Sequence, residues 1–287
     1  MLPENTSYGH SSLDGCGVIY AVTGEKFFKE ARTSIRSIRA LHPELPITVC
    51  YSWEGALLRE LLAGIAHINY VDLTEVVAAS GLKMSDGMER SRGVKINTIN
   101  YSPYEFTLFL DSDTYVKKPL NGIFDALREG DVQIITTNEP VASYASDQYD
   151  RLSDADRPIA GGLLSLSNPN YFNSGVFAFR SSIREYGVGK AWVDKFMEQS
   201  RSPATSNWGR LCDQSALNKT MRMLTNVPTR MLPNTIWNAQ CKILNELHGQ
   251  GRWDDIHIIH CKMVHILGPE PEKLLSSEYI KRFKLAV

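Results

Sequence analysis

Two kinds of hydrophobic pattern alternate along the first half of the chain. Short apolar runs at 17–23, 47–51, 67–71, 106–110 and 132–137 predict buried strands. Between them, stretches with helical spacing predict helices over 25–41, 55–65, 93–102 and 125–130. In the first of these, Phe28, Ala31, Ile35 and Ile38 share one face, and His42 and Pro43 end it. Pro103 stops the helix that leads into the 106–110 run. Strand and helix in strict turn predict an α/β protein with a mostly parallel central sheet flanked by helices and joined by right-handed crossovers.

The second half is less regular. Residues 138–171 have little hydrophobic period and many Ser, Asp, Pro and Gly, including Gly161 and Gly162, which predicts a long loop or lid. A strand over 175–179, helices over 182–200 and 211–220, and a late strand over 256–260 that ends on His260 complete the pattern. No repeat, low-complexity tract or linker interrupts it, so 1–287 is expected to be a single domain.

The 106–110 run is the most informative, because it delivers Asp111 and Asp113 at its carboxyl end. Alternate residues of an extended chain project to one side, so both carboxylates can converge on one divalent ion while Ser112 faces away. An open α/β sheet binds its ligands at this end of its strands. Asp-Ser-Asp is also turn material. The apolar run before it and the return to Tyr115 and Val116 after it favour the ion site.

Composition narrows the partners. Lys plus Arg number 31 against 32 Asp plus Glu, so no global field recruits nucleic acid or an anionic membrane, and any polyanion must be held locally. No apolar run reaches membrane-spanning length. The first ten residues lack the basic and apolar regions of a signal peptide. Cys16, Cys50, Cys212, Cys241 and Cys261 lack C-x-x-C spacing, which suggests reduced thiols and a cytoplasmic setting. The glycosylation patterns at Asn5 and Asn218 are then coincidental. A soluble catalytic fragment of a larger membrane-associated protein would look the same.

Five segments in order carry a resemblance. They are the opening strand from Tyr20 to Thr23, the basic stretch with Arg90, Arg92 and Lys95, the Leu110 to Asp113 segment, the stretch from Tyr171 to Val176, and that from Asp213 to Asn218. In this order they resemble the metal-dependent nucleotide-sugar glycosyltransferases of the GT-A fold, most closely the glycogenin-like family 8 group. Ile259 and His260 match more loosely.

The resemblance implies transfer of a hexose or pentose from a nucleotide sugar, a UDP-sugar, to the hydroxyl of a carbohydrate or glycoconjugate acceptor, with retention. It divides the chain into a donor-binding half at 15–137 and an acceptor-binding, metal-completing half at 138–287. Asp111, Asp113 and His260 are the implied metal ligands. A histidine added to two carboxylates shifts the choice from Mg²⁺ toward Mn²⁺. His257 and His265 compete for that place, because the family pattern H-x-x-G-x-x-K is not matched after His260, where the glycine is Gly268.

Further roles follow residue by residue. Ala21, Val22 and Thr23 would cradle base and ribose through the main chain. Asp72 would accept from ribose hydroxyls or cap the next segment. Lys95, ahead of Arg90 and Arg92, would face the donor phosphate or sugar, and Lys262 would meet the diphosphate as a point charge. Ser112, Asn173, Gly175, Asp213 and Gln214 complete the donor site, with Lys95, Asn173 and Asp213 joining the aspartates in catalysis. Asn173 to Gly175 is equally good turn material, and Asp213 equally a helix N-terminal partner. Tyr171, Trp208 and Trp237 are candidate stacking platforms, or core. A sugar-1-phosphate nucleotidylyltransferase would carry a glycine-rich loop after the first strand, where this chain has only Gly24. A catalytically inactive sugar-nucleotide-binding protein is the other alternative.

Overall fold

Seven strands form the central sheet, in the spatial order 68–72, 47–51, 16–22, 106–110, 172–180, 134–138 and 229–232. The computed structural model describes residues 13–82, 87–138, 171–201, 212–240, 244, 247 and 249–260. The strands are β1 (Cys16–Val22), β2 (Ile47–Tyr51), β3 (Ile68–Asp72), β4 (Phe106–Leu110), β6 (Ile134–Asn138), β7 (Phe172–Arg180) and β8 (Thr229–Leu232). Neighbours among β3, β2, β1 and β4 run parallel, as do β6 and β8, whereas β7 runs antiparallel to both β4 and β6. A small second sheet joins β5 (Thr114–Val116), β10 (Ile258–His260) and β9 (Ala239–Gln240).

Side-chain alternation sends each strand into two cores. Val18, Tyr20 and Val22 of β1, Leu108 and Leu110 of β4, and Val176 and Ala178 of β7 face one side. They meet α1 (Glu25–Leu41), α2 (Gly55–Leu61) and α6 (Asn121–Arg128). Ile19, Phe109, Phe177 and Phe179 face the other. There they meet α3 (Thr74–Ala79), α4 (Gly87–Ile96), α5 (Thr98–Tyr101), α7 (Val188–Ser200) and α8 (Asp213–Met223). Phe177 stacks on Phe109 at 4.8 Å and meets Trp192 edge-on at 5.9 Å, anchoring this second layer. A short helix, α9 (Asn234–Trp237), precedes β9.

Several element bounds differ from expectation for physical reasons. The 93–102 helix begins at Gly87 and breaks before Thr98. Its buried positions include Glu89 and Lys95, so no clean apolar stripe marks its start. The 182–200 helix is a 3₁₀ stretch, Ser181–Tyr186, followed by α7, divided where Gly187 takes φ 72°. The 175–179 strand starts earlier, at Phe172, so Asn173 to Gly175 belong to a strand and not to a turn. Most of the expected loop over 138–171 lies outside the described residues.

Candidate metal and donor site

The site forms where β4 ends. Asp111 N donates to Gly175 O at 2.8 Å, holding the end of β4 against β7. Three residues later β5 begins, and β10 pairs antiparallel with it so that His260 lies opposite Thr114. That register brings the imidazole to the acidic pair: His260 Nε2 is 3.2 Å from Asp113 Oδ1 and 3.8 Å from Asp111 Oδ2. One ligand atom from each of Asp111, Asp113 and His260 lies within 4.8 Å of the others.

The histidine is oriented from behind. Its Nδ1 donates to Asn238 Oδ1 at 2.8 Å, and Asn238 Nδ2 donates to Thr137 Oγ1 at 2.8 Å. This fixes the tautomer with Nε2 toward the carboxylates. No local pattern singles out Asn238, which reaches the site through the pairing of β9 with β10. Burial lowers the His260 pKa, but the charge and hydrogen bond of Asp113 outweigh it and raise it. Burial likewise works against the Asp113 charge, yet His260 holds its carboxyl down to about 2.

The floor is Gly175. Pairing steps from Thr136 to Thr137 on β6 while its partner on β7 moves from Phe177 to Asn173, so the intervening residues bulge. A Cβ at Gly175 would lie 2.3 Å from His260 Cε1 and 2.6 Å from Asp111 Oδ2. Only glycine leaves both side chains in place.

Beside this floor runs a buried charge network. Lys95 Nζ is 2.8 Å from Asp111 Oδ1 and 2.9 Å from Asp213 Oδ2, while Arg92 Nη1 is 2.6 Å from Asp213 Oδ1. Ser174 Oγ also donates to Asp213 Oδ2 at 2.9 Å. Burial opposes the Lys95 charge, but Asp111 and Asp213 raise its pKa. Burial opposes the Asp213 charge too, and Arg92 and Lys95 hold that carboxyl far below the ordinary range. Lys95 and Arg92 thus converge on Asp213, as their helical spacing allows, and Lys95 alone also contacts Asp111.

The other expected residues divide by position. Asn173 Oδ1 accepts from Gly175 N at 2.7 Å and its amide donates to Gln214 Oε1 at 3.1 Å; Gln214 also accepts from Ser174 N. These side chains shape the bulge. Ser112 turns the opposite way and donates to Glu30 Oε2 at 3.1 Å, a buried carboxylate whose pKa burial and Asp113 both raise. Ala21 and Val22 end β1, beside β4, and the buried Thr23 follows. Asp72 Oδ1 accepts from Thr74 N at 2.9 Å, capping α3. Arg90 lies 5.6 Å from the centre of the Trp53 ring.

His257 is employed elsewhere: its Nδ1 is 2.9 Å from Pro119 O and its ring lies 4.4 Å from that of Trp237. Trp237 and Tyr171 are buried. Lys262, His265 and Trp208 lie outside the described residues.

Two carboxylates and one imidazole form a donor set for a metal ion, and the cation that satisfies Asp111 in this structure is the Lys95 ammonium. The cluster is thus able to hold a metal. Among the described residues, no helix is long and apolar enough to cross a membrane.

The comparisons with known proteins agree on architecture. A mannosyltransferase family model, Mannosyl_trans3, matches residues 15–128. No curated protein matches the chain in sequence. Among solved structures, the bifunctional glycosyltransferase WbbM superposes with a TM-score of 0.59 at 15% identity, over 94% of this chain and 51% of that one. The chain thus spans about half the length of WbbM. The galactosyltransferase LgtC, solved with donor and acceptor sugar analogs, gives 0.58 at 15% identity over 94% of this chain and 96% of its own. Mouse xyloside xylosyltransferase 1 gives 0.51 at 14% identity over 85% and 96%. With its mixed seven-stranded sheet and the acidic pair at the carboxyl end of β4, the chain has the GT-A fold of these glycosyltransferases.

Proposed function

We propose that this chain is a metal-dependent glycosyltransferase that moves a sugar from a nucleotide sugar, a UDP-sugar in the first instance, to an acceptor hydroxyl with retention of anomeric configuration. The convergence of Asp111, Asp113 and His260 over Gly175 carries this reading. A divalent ion held there supplies Lewis-acid stabilisation of the departing diphosphate. Asp111 and Asp113 bind it as hard oxygen donors, and His260 adds the nitrogen, oriented by Asn238.

Lys95 and Arg92 place fixed positive charge beside the acidic pair, where negative charge develops as the bond from the anomeric carbon to the phosphate oxygen breaks. The bonding pair leaves with that oxygen, and the acceptor oxygen forms the new glycosidic bond. The acceptor proton passes to the leaving phosphate on the same face, so no carboxylate of this chain is assigned as general base. Asp213 already satisfies Arg92, Lys95 and Ser174, which favours it as the group that holds both cations in position. The ends of β1 and β3, with Thr23 and Asp72, are assigned to the nucleoside. We take 1–287 as one domain, its donor half at about 15–137 and its acceptor half at about 138–287.

The mannosyltransferase family match makes a mannose donor the second choice to test. A thermal-shift and hydrolysis screen of UDP- and GDP-sugars with Mn²⁺ and with chelator tests the proposal, because a true donor raises apparent stability by mass action. Metal-dependent stabilisation and turnover with one donor are expected. Turnover that persists in chelator would refute the metal requirement. Pyrophosphate release from a nucleoside triphosphate and a sugar phosphate would instead point to a nucleotidylyltransferase.

A further inference from the structure

Helix α1 buries Glu30, Ser34 and Ser37, an i, i+4, i+7 stripe of polar side chains on one face. Such a stripe is costly unless each group has a partner. Each of the three has a partner on the segment that carries the acidic pair. Glu30 Oε2 accepts from Ser112 Oγ at 3.1 Å, Ser34 Oγ is 2.9 Å from Thr114 Oγ1, and Ser37 Oγ accepts from Val116 N at 2.9 Å. Thr114 and Val116 are alternate positions of β5 and present one side to the helix, while Ser112 reaches the same helix from the turn, 111–114, that follows β4. Beyond the helix, His42 Nε2 accepts from Leu120 N at 2.9 Å.

The hydroxyl protons have one consistent order, since each hydroxyl carries a single proton. Thr114 Oγ1 donates to Asp111 O at 2.8 Å, so it accepts from Ser34, and Ser34 in turn accepts from Tyr20 OH at 2.7 Å. Ser37 donates to Ser34 O at 2.6 Å and receives Val116 N. The chain of bonds therefore runs from strand β1 through α1 to the main chain of Asp111.

We propose that Glu30 and Ser34 are positioning residues that set the spacing of Asp111 and Asp113 for the divalent ion, Ser34 through Thr114 and the Asp111 carbonyl, Glu30 through Ser112 between the two aspartates. This role rests on the metal-site reading above. Groups behind a metal ligand commonly change metal affinity by 10–100-fold when removed.

The test is Mn²⁺ binding to the full chain without donor, read from the electron paramagnetic resonance of the free ion, for wild type, Ser34→Ala, Glu30→Leu and Glu30→Gln, with Asp113→Ala as reference. Ser34→Ala and Glu30→Leu are expected to weaken binding by about tenfold, and Glu30→Gln, whose amide oxygen still accepts from Ser112, to restore it. In turnover the loss should appear in the Mn²⁺ needed for half-maximal rate more than in the rate at saturation. Equal Mn²⁺ affinity in wild type and all three variants would overturn the role. If wild type binds no better than Asp113→Ala, the metal site itself fails and the role with it, a result distinct from the first. Circular dichroism separates misfolding from lost affinity, and if Glu30→Leu does not fold, Ser34→Ala decides the test through the Thr114 route.

Discussion

The Lys95 ammonium lies 2.8 Å from one oxygen of Asp111 and 3.0 Å from the other. It therefore occupies the face of a carboxylate expected to bind metal, while its second partner, Asp213, is shared with Arg92. Replacing Lys95 by Met leaves Asp111 with only the more distant His260 and leaves Asp213 half compensated. Breaking a buried pair from one side costs about 3–5 kcal/mol, and the remaining Arg92 contact favours the lower end. Urea denaturation should register this loss. Added Mn²⁺ should stabilise Lys95→Met more than wild type, because it supplies charge that the ammonium no longer provides. Equal Mn²⁺ shifts in the two proteins would count against a shared electrostatic site.

Asp113 differs from Asp111 in having His260 rather than Lys95 as its direct partner. Asp113→Asn keeps the shape and removes a charged ligand. If the bound ion contributes about 4 kcal/mol of charge stabilisation in the transition state, losing it lowers turnover roughly a thousandfold. The fold should survive, since the amide can still meet His260. Steady-state rates over a Mn²⁺ series, with the melting temperature measured alongside, check both halves. A variant with wild-type kcat at ordinary Mn²⁺ would remove Asp113 from the site.

His42 gives a pH prediction apart from the metal ligands. Burial lowers its pKa below the ordinary 6.5, and its Nε2 must stay unprotonated to accept from Leu120 N. The unfolded chain binds this proton more readily than the folded one, so stability from this group is fully present above pH 6.5. It is lost as pH falls through the depressed folded value. Wild type should therefore lose stability on acidification below about 6.5, and His42→Gln should show a shallower slope. Chemical denaturation at a series of pH values compares the slopes; parallel curves would contradict the assignment.

The grouping of Asp111, Asp113 and His260 was legible because both aspartates follow one short apolar run and His260 ends another, and an apolar run leading into a polar metal-binding type is visible as a local pattern. The sheet around β1, β2, β3 and β4 was legible for the same reason. What stayed hidden depends on pairing between distant segments. Asn238 reaches His260 only through β9 and β10, and Glu30 reaches Ser112 across 82 positions. Asn173 to Gly175 had turn composition but folded as a bulged strand, because a bulge needs the same permissive residues as a turn. The start of α4 was invisible because its buried face holds Glu89 and Lys95, whose charges break the hydrophobic period.

Gly175 offers the sharpest test of the site's geometry. Its φ is not among the positive values, so alanine there meets no backbone strain, and the effect of substitution comes from the added methyl alone. That methyl would overlap His260 Cε1 and Asp111 Oδ2, two of the three ligand side chains, at 2.3 and 2.6 Å. Both must move outward to accommodate it. Because ligand placement is sensitive to displacements of about 0.5 Å, Gly175→Ala should weaken Mn²⁺ binding by at least about tenfold, with turnover falling in parallel. Overpacking of this size costs stability by about 1–3 kcal/mol. Mn²⁺ titration by calorimetry alongside urea denaturation separates the two effects. Wild-type Mn²⁺ affinity in Gly175→Ala would mean that the ion does not sit between these three side chains.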